Sequence, residues 1–263
     1  MFSLPVSAEI FDWSQASLLA WVLLSLAVII YFSYRSRSKT LRVRAIPGLK
    51  AVEEAVGRAT ELGKPILFTT GWGGDIQRPT TIAALNMLRF VASRAASYGC
   101  RILFPTHDPV IAEAAREIIR DAFAEAGHPD AYRETDINFV SPSQFGYAAA
   151  VDGIVARANP AAIFLLGTFE GEALILAETG NIAGAMQIAG TDSTIQLSFF
   201  IVACDYTLIG EELYSASAYL TDDNRVKASM YAQDALRLLL LAILLITPLL
   251  ALFGSDLYET LLG

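Results

Sequence analysis

Scarcity sets the first limits on this chain. Its 263 residues include two cysteines, Cys100 and Cys204, and two histidines, His107 and His128. The cysteines lie far apart in apolar surroundings and make no ligand spacing, so they read as buried, reduced thiols. Two histidines are too few for a His-rich transition-metal site. Basic residues are also in deficit, with 19 Lys and Arg against 27 Asp and Glu, a net charge of −8 and a pI near 4.8. That balance excludes a nucleic-acid partner, which needs a concentrated basic face. Neither G-x-G-x-x-G nor G-x-x-x-x-G-K-[ST] occurs, so the dinucleotide fingerprint and the Walker-type phosphate loop are both absent.

What the chain has in excess is apolar surface: 54% hydrophobic residues, with a mean hydropathy of +0.45. The run Ser17 to Tyr34 carries no charge. Eighteen helical residues at about 1.5 Å each give roughly 27 Å, close to the thickness of a bilayer core, and Trp13 and Tyr34 are placed to anchor the interfaces. A second run, Leu236 to Phe253, is similarly apolar and contains Pro248, which kinks a spanning helix locally without preventing the span. A buried core helix is the competing reading of this second run.

The flanking charges give a direction. Glu9 and Asp12 precede the first run, and Arg35, Arg37, Lys39, Arg42 and Arg44 follow it. Arg225, Lys227 and Arg237 stand on the inner side of the second run, with Asp256 and Glu259 beyond it. The positive-inside rule then places both termini outside the cell (inner) membrane and the main domain in the cytoplasm. A cleaved signal peptide would need its basic residues before the apolar core, the reverse of this order. The expected organisation is a short external tail (1–16), a transmembrane helix (17–34), a basic linker (35–45), a cytoplasmic domain (46–224), a helix containing the second span (225–253) and an external tail (254–263).

Between the two runs, strands and helices alternate. An amphipathic helix follows Ile46-Pro47-Gly48, and the apolar strands expected are Pro65 to Thr70, Arg101 to Pro105, Ile137 to Val140, Ala161 to Leu166 and Ala185 to Ala189. Strands without polar alternation are covered on both faces, and their regular interruption by helices implies a parallel sheet with right-handed crossovers. The fold class expected is therefore α/β, a doubly wound, Rossmann-like, mostly parallel sheet flanked by one N-terminal and one C-terminal transmembrane helix. Asp192 to Leu220 reads best as one mostly buried helix, with a strand at Leu197 to Ala203 as the alternative.

In such a sheet, ligands bind beyond the carboxyl ends of the strands, where neighbouring connections diverge. Thr70, Gly71, Trp72, Gly73 and Gly74 follow the first strand; Gly167, Thr168, Glu170 and Glu172 follow the fourth. These nine are the candidate ligand-binding residues. Three glycines and an aromatic exceed what a helix cap requires: glycine lets a backbone approach a ligand, and Trp72 is suited to stack or to close the crevice. Asp75, Asp108, Glu170, Glu172 and Asp192 make the rim acidic, which suits an amine or divalent cation better than a bare phosphate; helix-capping carboxylates account for the same residues. The cofactor is unknown. His107-Asp108 with Ser141 or Ser143 is the nearest approach to a catalytic constellation, and nothing resembles a nucleophile elbow.

The stretches IPGLKAVEEAVGRATELGKP (Ile46 to Pro65), SPSQFGYAAAV (Ser141 to Val151), MQIAGT (Met186 to Thr191) and ACDYTLIGEELY (Ala203 to Tyr214) resemble a prokaryotic membrane-protein family carried as a domain of unknown function. The resemblance implies an α/β domain between N- and C-terminal membrane helices and supplies no catalytic residues. The function expected from the sequence is a homo-oligomeric scaffold or assembly component in the membrane, non-enzymatic, with the lipid bilayer, copies of itself and other membrane proteins as partners. A small-molecule or nucleotide sensor at the strand ends is the alternative, and an enzyme is the third reading.

Overall fold

A computed structural model describes residues 16–35, 48–220 and 224–252. The N-terminal tail, Trp13, the linker residues Arg37, Lys39, Arg42 and Arg44, and the C-terminal tail with Asp256 and Glu259 lie outside the described residues. The chain divides into two compact units, one formed by Met1–Arg42 with Asp223–Gly263, the other by Val43–Asp222.

In the first unit, helix α1 (Ala16–Arg35) and helix α9 (Asn224–Leu252) pack together, with the rings of Phe32 and Tyr231 stacked at 6.2 Å. Both are long and apolar enough to cross a membrane. Neither is a core helix: the apolar window of α1 has no buried residue, and that of α9 is 6% buried. Pro248 lies inside α9 without ending it.

The second unit is a six-stranded sheet, every pairing parallel, in the order β3-β2-β1-β4-β5-β6. The strands are β1 (Ile66–Thr69), β2 (Ile102–Thr106), β3 (Ile137–Phe139), β4 (Ala162–Leu166), β5 (Met186–Thr191) and β6 (Tyr206–Ile209). The central pair is β1 and β4, with Ile66 opposite Ala162 and Thr69 opposite Leu165. Strands β1, β2 and β4 are buried along their whole length, which explains their unbroken apolar sequences.

Alternate residues of these strands feed two cores. Phe68, Phe104 and Phe164 stack side by side at 5.8–6.0 Å on one face, beneath helices α2 (Gly48–Leu62), α3 (Pro79–Ser97), α4 (Pro109–Glu125) and α8 (Glu211–Leu220). Leu67, Leu103, Ile163 and Leu165 face the other way, beneath α5 (Gln144–Ala158), α6 (Glu172–Ile182) and α7 (Thr194–Ala203). Local chemistry sets the helix ends. Asp108 caps α4, accepting from Val110 N at 2.6 Å and Ile111 N at 3.2 Å, with Pro109 in the first turn. Asn159 closes α5 in the left-handed region, at φ 47°.

One expectation is corrected. Residues 192–220 do not form a single helix, and the strand among them is not at Leu197 to Ala203. They form α7, then β6, then α8. Cys204 is extended, and the Asp205 carboxylate accepts Gln187 N–H at 2.7 Å, which turns the chain beside β5. Gly210, at φ 53°, ends β6 in a left-handed conformation costly for most residues that carry a side chain. The apolar composition of α7 and the brevity of β6 together hide this break from a reading of periodicity.

Candidate functional site

The chain builds β1, β2 and β3 outward on one side, then restarts at β4 on the other, so the connections after β1 and β4 flank the point of divergence. All nine candidate residues lie in or beside these two connections, and the structure brings the two loops together. Thr168 N–H donates to Thr70 O at 3.1 Å, and Gly73 N–H donates to Thr168 O at 3.0 Å. The loops are thus fastened to each other through their own backbones.

The glycines are explained by that contact. Gly71 has φ 77°, and a Cβ there would stand 2.2 Å from Thr168 O; a Cβ on Gly167, at φ 148°, would stand 2.2 Å from Thr70 O. A side chain on Gly73 would meet Thr168 Cγ2 at 2.9 Å, and one on Gly74 would meet Thr81 Oγ1 at 2.6 Å. In this structure the close backbone approach at these glycines is made to neighbouring segments of the chain itself.

Glu172 acts as the strut between them. Its residue is fully buried at the start of α6. Oε1 accepts Trp72 N–H at 3.0 Å, Oε2 accepts Gln144 Nε2 at 2.9 Å, and Glu170 N–H reaches both oxygens at 3.2 Å. Trp72 is half-buried, with Nε1 donating to Pro142 O at 2.9 Å, so the indole is tied to the loop before α5. Glu170 itself is exposed.

His107 stands between Trp72 and Tyr147, with ring centroids at 6.0 and 6.1 Å, and Nδ1 donates to Gly71 O at 3.1 Å. Tyr147 is buried and hydrogen-bonded to Thr69 Oγ1; burial pushes its phenol well above the usual range. Asp108 is engaged as the cap of α4, and Ser141 Oγ accepts Ser143 N–H at 3.2 Å. Among the described residues no hydrogen bond joins His107 to Asp108, Ser141 or Ser143. Asp75 likewise serves its own turn, accepting from Gln77 N and Arg78 N at 3.1 and 3.0 Å.

One group of atoms is left over. The Oγ1 atoms of Thr70, Thr81 and Thr168 are buried without a hydrogen-bond partner, and so is Asp192 Oδ1. The other Asp192 oxygen accepts from Thr80 Oγ1 at 2.6 Å, and Thr80 also meets Tyr214 OH at 2.9 Å. Thr80 and Thr81 belong to the first turn of α3, whose hydroxyls are not legible as site residues because neighbouring Thr residues at a helix start are ordinary capping chemistry. No group of three or more His, Cys, Asp or Glu among the described residues is arranged to hold a metal ion.

Comparison with curated proteins and with solved structures returned no match. Residues 6–262 match the family model of DUF6754, a domain of unknown function, and the chain belongs to that family.

Proposed function

We propose that this chain is a membrane-tethered, cytosol-facing module that works by assembly, with copies of itself or with other membrane proteins, and not by turnover at the strand ends. In this reading α1 and α9 are transmembrane helices of the cell membrane, and the sheet order is that of a doubly wound, Rossmann-like domain whose usual ligand crevice has been given over to internal packing. The observation that carries it is the filling of the divergence point by the chain itself: Gly73 to Thr168, Thr168 to Thr70, and Trp72 to the buried Glu172. The basic residues after the first apolar run and before the second, with acidic residues at both tails, support a cytoplasmic domain and external termini. The test is molar mass in mild detergent across a concentration series. Self-assembly predicts a mass of two or more chains; a constant single-chain mass overturns self-assembly.

A second reading, a sensor of small molecules or nucleotides, is favoured by the unpartnered Thr70, Thr81 and Thr168 hydroxyls and Asp192 Oδ1, because buried polar atoms cost free energy until something satisfies them. A thermal-shift screen of nucleotides, amines and metal ions tests it, with Thr168→Val and Trp72→Ala as controls. Stabilisation lost in both variants supports the sensor; no shift with any compound removes it.

A further inference from the structure

Helix α7 is the most conspicuous anomaly of the α/β unit. Its sequence, TIQLSFFIVA, contains no charged residue, yet Phe200 is its one buried side chain. Ile195 is 70% exposed and Val202 88%, and Phe199 and Ile201 are exposed as well. Ile195, Phe199 and Val202 follow i, i+4, i+7 spacing, so they form one stripe, turned away from Phe200 and its contact with Phe169. A helix on the surface of a soluble sheet normally turns its charged side outward. Here the outward side is aliphatic and aromatic.

The position of α7 says what covers it. The helix packs against α6 on one flank and on β5 and β6 beneath, leaving its other flank at the β6 edge of the sheet. The chain enters the α/β unit at that same edge. Gly48, the first residue of α2, lies so close to β6 that a Cβ there would meet Leu208 Cδ2 at 2.6 Å and Tyr206 Cε1 at 2.7 Å. On the exit side, α8 follows β6 directly, and three residues separate Leu220 from Asn224, the start of α9. The entry from the first long apolar helix therefore reaches the sheet at the edge that α7 flanks, with α2 and α8 on the opposite face.

We propose that α7 is an interfacial helix that lies on the lipid bilayer, with Ile195, Phe199 and Val202 inserted at the boundary between headgroups and acyl chains. The proposal rests on the reading that α1 and α9 span that bilayer. Its energetics are apolar: residues 158–224 contain no Lys or Arg, while Asp205, Glu211 and Glu212 follow α7 closely. Attraction to anionic headgroups is left to the basic residues between Arg35 and Arg44, and α7 binds by burying its own side chains. Two transmembrane connections and one interfacial helix fix which side of the sheet meets the membrane, where two connections alone leave the domain free to rock.

The test uses the full chain in vesicles. In a Cys204→Ala background, Val202→Cys carries an environment-sensitive fluorophore; Val110→Cys, on α4 and also exposed, serves as control beside the opposite end of the sheet. In proteoliposomes of phosphatidylcholine, the label at Val202 is expected to shift to the blue and to be quenched by lipids bearing a nitroxide high on the acyl chain, and the label at Val110 is not. Adding phosphatidylglycerol or raising salt leaves this unchanged. A label at Phe199→Cys behaves like that at Val202 and loses its blue shift when Ile195→Glu and Val202→Glu are introduced. Absence of quenching at both α7 positions, in protein that resists alkaline carbonate extraction, overturns the proposal while leaving the two spans intact. Release by carbonate instead overturns the spanning reading itself. Ready disulfide formation between Val202→Cys chains, with no lipid quenching, assigns the stripe to a second copy and overturns the lipid assignment.

Discussion

Glu172 shows how a residue type misleads when its surroundings are unseen. Glutamate is rarely fully buried, so a sequence places it on a solvated rim; the fold instead makes it the acceptor for three donors from three segments. Glu172→Ala leaves three part-buried donors without this acceptor and is expected to lower stability by about 1–3 kcal/mol, read by thermal or chemical denaturation. The glycines were legible as sites of close approach, but not what approaches them. Gly71→Ala and Gly167→Ala each drive a Cβ against a carbonyl oxygen in a left-handed or otherwise disfavoured backbone and are expected to cost more than about 2 kcal/mol. Gly57→Ala, inside α2 with nothing within 4 Å, is expected to stabilise by roughly 0.5–1 kcal/mol in the same assay. Both cysteines are free thiols, Cys100 buried as the sequence suggests and Cys204 only partly so. Burial pushes Cys100 up to about 11 and Cys204 up to about 12, against 9.0 for a free thiol. Because the folded values are raised, this contribution to stability is complete below pH 9 and is lost as the pH climbs through 11 to 12, so denaturation midpoints are expected to fall over that window. At pH 8 both thiols resist alkylation until the protein is unfolded.

Among the elements, those with one strong signal were legible and those with two competing signals were not. β1, β2 and β4 declare themselves because strands covered on both faces favour apolar runs. α4 declares itself by its cap, its first-turn proline and its single apolar face. Asp108→Ala removes that cap and is expected to cost about 1 kcal/mol, measured by denaturation. β6 has four residues of mixed character between two helices, and its identity comes from pairing with β5, a long-range contact that no local pattern encodes. Gly210 followed by Glu211 and Glu212 was the one local clue, since acidic residues favour a helix start and a glycine tolerates the turn before it. α7 falls inside the helix expected over Asp192 to Leu220; what the sequence did not reveal was its end at Ala203 and the exposure of its apolar side chains, since a helix without charge has no polar face for periodicity to find.

For the whole molecule, composition was the better guide than any motif. An apolar excess confined to two runs, with moderate charge between them, corresponds to two long exposed apolar helices and one separately cored α/β unit. The unit Val43–Asp222 has its own two-sided core, and expressed alone it is expected to fold, giving cooperative unfolding by circular dichroism. With α7 uncovered in that fragment, detergent is expected to raise its solubility, and Val202→Glu to do so without detergent. The fastening of the two strand-end loops was not legible at this scale, because it depends on backbone contacts between segments that the sequence separates widely.

That separation also sets a clock. The two central strands lie side by side, with Ile66 opposite Ala162, yet about a hundred residues of chain come between them. A ribosome adding roughly 5–20 residues per second needs about 5–20 s to deliver β4 after β1 has emerged. Throughout that interval one side of β1 stands unpaired, beside other nascent chains on the same message that offer the same unpaired side. Yield is therefore expected to depend on translation speed and on protection of the emerging chain between β1 and β4.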